Sequence, residues 1–153
     1  MLYLLLQLRD DRYAIDATHI EEVIPLVHLK ELPGAPRGVA GLIDYHGHPV
    51  PVLDLSAIAH GTATAARTSA RIVIVWYEPD SPSRRLIGLL VPRATNVVRC
   101  AASDFVAAGV ETPDAPYLGT VRPDAQGIVQ QVRVEGLLTP EIRHALVRAQ
   151  EAA

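Results

Sequence analysis

The segment Gly41 to Ser56, GLIDYHGHPVPVLDLS, sets two carboxylates and two imidazoles, Asp44, His46, His48 and Asp54, within eleven positions. Such a set could hold a divalent metal and activate water, which would make the chain a small metal-dependent hydrolase using Asp44, His46 and His48. Positions i and i+2 on a strand share a face, so the two imidazoles could converge. Gly47 between them, however, is a turn signal that breaks this alternation. No third ligand is secured either: Asp44 precedes the turn on the same parity, but Asp54 lies at the far end of the next strand. The better-fitting alternative is a strand–turn–strand whose polar residues face solvent or a partner. Other chemistries find less support. The chain has no Gly-x-Ser-x-Gly elbow, and Cys100 has no histidine close to it in sequence. Glu21 and Glu22 are adjacent, so on a strand they point to opposite faces and cannot share acid–base work. The run LPGAPRGVAG lacks GxGxxG spacing and holds prolines where a phosphate loop needs backbone donors. No catalytic residue, metal or cofactor is expected.

The elements that must carry this segment are short strands. The chain has 153 residues, 49% hydrophobic and 20% charged, with a formal net charge of -3, which gives no bias toward nucleic acid or an anionic membrane. The apolar start of MLYLLLQLRDDRY is too short for a signal-peptide core, and no segment approaches the roughly 20 apolar residues of a membrane span, so a cytoplasmic protein without direct membrane insertion is expected. Strands are predicted at Leu2–Leu8, Arg12–Asp16, Ile20–Val27, Ala40–Tyr45 and His48–Asp54, with turns at Asp10-Asp11 and His46-Gly47 and a capped helical turn at Ser56–His60. Pro49 and Pro51 remove two backbone donors from one side of the fifth strand, which reads as an edge. Residues 62–70 hold no bulky apolar anchor and mark an internal boundary. Beyond it, strands are predicted at Arg71–Glu78, Arg84–Val91, Asn96–Cys100, Tyr117–Val121 and Gly127–Val134, with PDSPS as a loop and a short helical turn at Ser103–Ala108. A C-terminal helix over 139–150 has Thr139 as N-cap, Pro140 at its first position and Ile142, Leu146 and Ala149 along one face.

The result is an all-β chain of about ten strands, split five and five into subdomains 1–61 and 71–138. A weak internal repeat supports the split: Gly41-Leu-Ile, a turn at Gly47 and Val-Leu-Asp-Leu are echoed by Gly119-Thr-Val, a turn at Gly127 and Gln-Val-Arg-Val.

Four blocks in order, YAIDATHIEEVI, VAGLIDYHGHPVPVLDLSAIA, RIVIVWY with RLIGLLVPRATNVV, and PYLGTV with GIVQQVRVEGLL, resemble the CheW-type coupling domain of bacterial chemosensory arrays across nearly the whole chain. The strongest is GLIDYHGHPVPVLDL, which resembles that family's Gly-Val-Ile-Asn-Leu-Arg-Gly followed by Pro-Val-Ile-Asp-Leu. The resemblance implies two five-stranded, SH3-like barrels on a shared core. It also implies a non-catalytic adaptor that joins the cytoplasmic tips of chemoreceptors to the regulatory domain of a CheA-type histidine kinase. By the same resemblance, Ile20 and Glu22 match the kinase-binding surface, Gly41 and His46 match a glycine and an arginine of partner contacts, and Ile72 and Val73 fall on a strand lining a receptor groove. This chain departs from the family where the arginine is His46, the Asn-Leu is Asp44-Tyr45, and an aspartate is Pro92. Imidazole cannot reproduce a five-donor guanidinium, so the partner surface is expected to have changed. The Tyr-His-Gly-x-Pro-Val-Pro-Val form is more similar to couplers of Wsp-like systems than to flagellar ones.

Overall fold

Among the described residues, ten strands fall into two five-stranded sheets that exchange segments. The computed structural model describes residues 1–77 and 85–151, with side chains through residue 146. The elements are β1 (Leu2–Leu8), β2 (Asp11–Asp16), β3 (Ile20–Pro25), β4 (Val39–Tyr45), β5 (His48–Asp54), α1 (Leu55–His60), β6 (Arg71–Tyr77), β7 (Arg85–Val91), β8 (Arg93–Arg99), β9 (Leu118–Asp124), β10 (Gly127–Val132), α2 (Val134–Leu137) and α3 (Pro140–Glu151). The predicted PDSPS loop, together with Glu78 and Arg84, lies outside the described residues, as does the side chain of Ala149. The predicted helical turn at 103–108 shrinks to a 3-10 turn at Ala102–Asp104, and α2 replaces the predicted end of the last strand.

Sheet order corrects the five-and-five division. One sheet runs β8-β1-β2-β10-β9 and the other β3-β6-β7-β5-β4, so each draws strands from both sides of residues 62–70. The repeat itself survives in a different form. Matching β1–β5 to β6–β10 in order makes the two sheets equivalent: each is a hairpin from one half completed by three strands of the other. The parallel pairs β10–β2 and β5–β7 sit at corresponding places, as do the isolated bridges Lys30↔Leu42 and Val106↔Val121. Gly41 and Gly119, which begin the sequence echo, sit in the corresponding strands β4 and β9. Pairing between distant strands is set by long-range packing and leaves no local trace in the sequence.

Three clusters of buried residues explain why β1 and β6 are apolar at nearly every position. Tyr3 and Leu5 fill one barrel, Ile72 and Ile74 fill the other, and Leu4, Leu6, Leu8, Val73, Val75 and Tyr77 meet in a core shared between them. A strand buried on both faces loses the usual apolar–polar alternation. β5 behaves the same way, with Val50 and Val52 in its barrel and Leu53 in the shared core, where Leu55 at the start of α1 joins it.

β5 is not the edge that its prolines suggested, because it lies between β7 and β4. Its pairing to β7 covers only Val52–Asp54, while Pro49 and Pro51 face β4 residues alone, opposite Asp44 and Leu42. With Tyr45 and His48 closing the hairpin, both prolines take non-hydrogen-bonded positions, so their missing donors point away from β4 and deprive the ladder of nothing.

Candidate partner-binding site

Each sheet closes into a barrel by joining its two outer strands, and in the second barrel this seam brings together Glu22, Tyr45 and His46. β3 and β4 are the outer strands there. The seam begins where the chain after β3 pairs back on β4, with Lys30 N–H donating to Leu42 O at 2.8 Å and Leu42 N–H to Lys30 O at 2.9 Å. At its other end Tyr45 Oη donates to Glu22 Oε2 at 2.6 Å, so a side-chain bond completes the closure.

The turn beyond Tyr45 holds His46 in place. His46 and Gly47 have φ of +51° and +84°, the two left-handed residues of a type I′ hairpin, and the Asp44 carboxylate accepts the Gly47 N–H at 2.8 Å. Asp44 is therefore committed to its own turn. Asp54 is committed too: buried, it caps α1 by accepting Ala57 N–H at 3.1 Å and accepts both the N–H and the hydroxyl of Thr64 at 2.8 Å. Among the described residues no three His, Cys, Asp or Glu side chains are placed to share a metal ion. The hydrolase arrangement of Asp44, His46 and His48 does not assemble.

What assembles is an exposed cluster with an aromatic base. The His46 ring stands edge-on to Tyr45, centroids 4.5 Å apart at 60°, and its Nε2 lies 3.8 Å from Glu22 Oε2. The side chain of His46 is 74% exposed and that of Glu22 45%, so both remain open to a partner. Accepting the Tyr45 hydrogen bond makes Glu22 oppose ionisation of the phenol, with partial burial and the charge of Glu21 adding to it; the Tyr45 pKa rises from its ordinary 10.0 to about 12. Tyr45 is thus a fixed donor at any physiological pH. Glu21 accepts from Trp76 Nε1 at 2.9 Å, which ties β3 to β6 beside the cluster.

A bulge in β3 sets where its residues point. The β3–β6 register shifts between Ile20, opposite Val75, and Glu22, opposite Ile74. Strand parity alone would put Ile20 and Glu22 on one face; the extra residue, Glu21, separates them. Ile20 turns toward the shared core and packs on it while partly exposed, and Glu22 turns toward the seam. Val23 follows as an exposed apolar residue, 38% accessible.

The remaining residues expected at the surface are not there. Ile72 and Val73 are both 0% exposed, one inside the second barrel and the other in the shared core, and so cannot touch a partner. β6 is apolar because both its faces are covered. A cavity of about 490 Å³ opens instead beside α1, α2 and α3, among Ile58, Tyr117, Leu137 and Ile142, and neither residue lines it. Gly41 is buried, with φ of +150°, and a Cβ there would collide with the Lys30 carbonyl that pairs with Leu42. Its glycine is required by the seam and offers no side-chain contact. Tyr45, Glu21 and Trp76 were missed as site residues; an aromatic residue beside an Asp-x-His-Gly turn and the chain's single tryptophan were the available signals.

Comparison with known proteins agrees with this architecture. A family model described as the CheW-like domain matches residues 2–141. No curated protein sequence matches the chain. The crystal structure of scaffolding protein TtCheW from Thermoanaerobacter tengcongensis is similar to it in fold, with a TM-score of 0.79 and 20% identity over 92% of this chain and 89% of that one. Ten strands in two swapped barrels, a polar seam in place of a catalytic constellation, and a family match over nearly the full length lead to one conclusion: this chain belongs to the CheW-like family.

Proposed function

We propose that the chain meets its kinase partner through the seam of the second barrel, with Glu22 and His46 as the exposed polar contacts, Tyr45 as the group that positions both, and Ile20 and Val23 as the apolar flank. As a CheW-like domain the chain is a non-catalytic adaptor that couples chemoreceptors to a CheA-type histidine kinase. The observation that carries the seam assignment is the Tyr45–Glu22 bond with the His46 ring edge-on to Tyr45: a preorganised, solvent-accessible polar cluster. Interfaces draw their energy from a few anchored residues of this kind, while charged groups at their rim set orientation and association rate.

His46 in place of an arginine changes what can be recognised. Imidazole offers at most two donors and shares Glu22 with Tyr45, so a bidentate grip on a partner carboxylate is replaced by a local network that presents one carboxylate outward. The Wsp-like assignment rests on this same hairpin. Among the described residues no helix is long and apolar enough to cross a membrane, so recruitment to receptor arrays would run through protein contacts.

Co-purification from the native cell tests the function directly. The expected outcome is one CheA-type kinase and at least one chemoreceptor recovered together with the tagged chain. Recovery of neither would contradict the adaptor role, and recovery of a flagellar kinase would contradict the Wsp-like assignment alone.

A further inference from the structure

A second concavity lies away from the seam, where the 61–70 segment crosses between the barrels. It has a volume of about 380 Å³, and its lining includes Arg9, Arg67 and Arg93 together with the hydroxyls of Ser56 and Ser69, but no carboxylate. The three arginines come from three parts of the fold. Arg9 lies in the β1–β2 turn, Arg67 in the connecting segment, and Arg93 opens β8. All three are exposed, and among the described residues no side chain pairs with any of their guanidiniums.

Unpaired arginines scattered over a surface are ordinary. Three around one polar concavity are less so, in a chain whose formal net charge is -3. Their mutual repulsion is relieved only by solvent or by an anion, and a group of guanidiniums around one open concavity with nearby hydroxyls suits phosphate oxygens, which accept several charge-assisted hydrogen bonds at once. Arg9 also takes φ of +55° in its turn, a conformation that glycine or asparagine adopts more readily. Two acids adjoin lining residues without joining the lining: Asp54 is buried and committed to Ala57 and Thr64, and Asp10 follows Arg9 in the chain.

We propose that this concavity binds a small polyanion bearing two or more phosphate groups, and that binding clamps the connecting segment to the first barrel. Arg9 and Arg93 belong to that barrel, whereas Arg67 and Ser69 belong to the segment entering β6 of the second. A ligand held by all three guanidiniums would bridge them. A concave site of this size fits a compact ligand better than a flat membrane or an extended acidic peptide.

The test uses the full chain with inorganic tripolyphosphate, titrated calorimetrically, and with trypsin cleavage after Arg67 read by mass spectrometry. Wild-type protein should bind at submillimolar concentration, with affinity falling as salt rises, and bound tripolyphosphate should slow cleavage after Arg67. R9A/R93A leaves Arg67 in place as the reporter; it should bind about tenfold more weakly or worse and lose the protection, with an unchanged melting temperature because neither side chain has a partner among the described residues. R67A alone should also weaken binding. Vesicles of phosphatidylglycerol and a polyglutamate peptide serve as comparisons. No binding of tripolyphosphate at millimolar concentration would overturn the site, as would equal binding by R9A/R93A. Tighter binding of vesicles or peptide would overturn the small-ligand assignment, and binding without protection of Arg67 would overturn the clamp.

Discussion

The two barrels have equivalent strand orders, yet their seams are built from different chemistry. In the first barrel the outer strands are β8 and β9, and closure uses a backbone bridge, Val106 N–H to Val121 O and the reverse, both at 2.8 Å, with Arg122 reaching Asp104 at 4.0 Å. Near that edge Arg12 grips Asp124 with two bonds of 2.9 and 2.5 Å. The second barrel closes through a matching backbone bridge at Lys30 and adds Tyr45, Glu22 and His46. The first edge pairs its carboxylates with arginines, Asp124 with Arg12 and Arg122 and the 49% exposed Asp104 with Arg122, whereas the second, among the described residues, sets no arginine beside Glu22 and leaves the His46 imidazole 74% exposed. A fold that uses one strand plan twice can confine its recognition to one copy.

The largest expected effect tests whether the copies are independent. Each barrel contains strands of both halves, so neither can unfold while the other stays intact, and denaturation should follow a single transition. Ile72→Ala in the second barrel and Leu5→Ala in the first should each destabilise the whole protein by about 2–5 kcal/mol, read from chemical denaturation by tryptophan fluorescence and circular dichroism. Two separate transitions, each moved by one variant, would break the interlocked description. Ile72→Ala should leave the partner affinity of the folded protein unchanged, because its side chain is fully buried.

A smaller effect separates the seams through their glycines. Gly41→Ala drives a Cβ into the Lys30 carbonyl at a left-handed φ and should cost about 1–3 kcal/mol or more. The corresponding Gly119→Ala meets Gln131 O at 3.1 Å without such a φ and should cost less than half as much in the same denaturation assay. Equal losses would show that the bridges, and not the backbone conformation, set the requirement.

Opposite ends of the pH scale should sharpen the contrast. Asp124 is held down from 3.8 to about 2, first by the Arg12 bonds and then by the Gln126 N–H, so its contribution is complete above pH 3.8 and is lost as pH falls through about 2. Tyr45 is raised to about 12, so its contribution is complete below pH 10 and is lost as pH rises through about 12. Melting temperatures of Arg12→Ala and Tyr45→Phe against wild type should therefore differ most near neutral pH. The Arg12 variant should converge with wild type in acid, and the Tyr45 variant in alkali. Tyr45→Phe should cost about 1 kcal/mol at neutral pH.

Much of this contrast could be read from the sequence, in proportion to how local its causes are. The His46-Gly47 hairpin, the Gly61 cap of α1 and the Thr139 cap of α3 follow from turn and capping chemistry within four residues, and each forms as expected. The repeat was visible because duplicated strands keep duplicated glycines. The exchange of strands between barrels was not, since it depends on contacts across most of the chain. The same limit explains the site. Glu22 and His46, which the resemblance named separately, lie 3.8 Å apart, whereas Ile72 and Val73, which it set on a groove strand, are fully buried; a strand apolar on both faces looks identical in sequence whether one face is exposed or both are covered. The β3 bulge, which turns Ile20 and Glu22 to different faces, leaves no mark in a strand of ordinary residues.

The seam assignment is tested most directly by the affinity of the purified chain for the regulatory domain of its CheA-type kinase, measured by calorimetry for wild type and Glu22→Lys, with Asp124→Lys as the equivalent charge change at the first barrel's edge. Glu22→Lys should weaken binding by about 2 kcal/mol or more while the protein remains folded, and Asp124→Lys should lower stability while leaving kinase affinity within about twofold of wild type. Unchanged affinity in folded Glu22→Lys, or a larger loss in Asp124→Lys, would contradict the account and move the kinase contact away from the second barrel's seam.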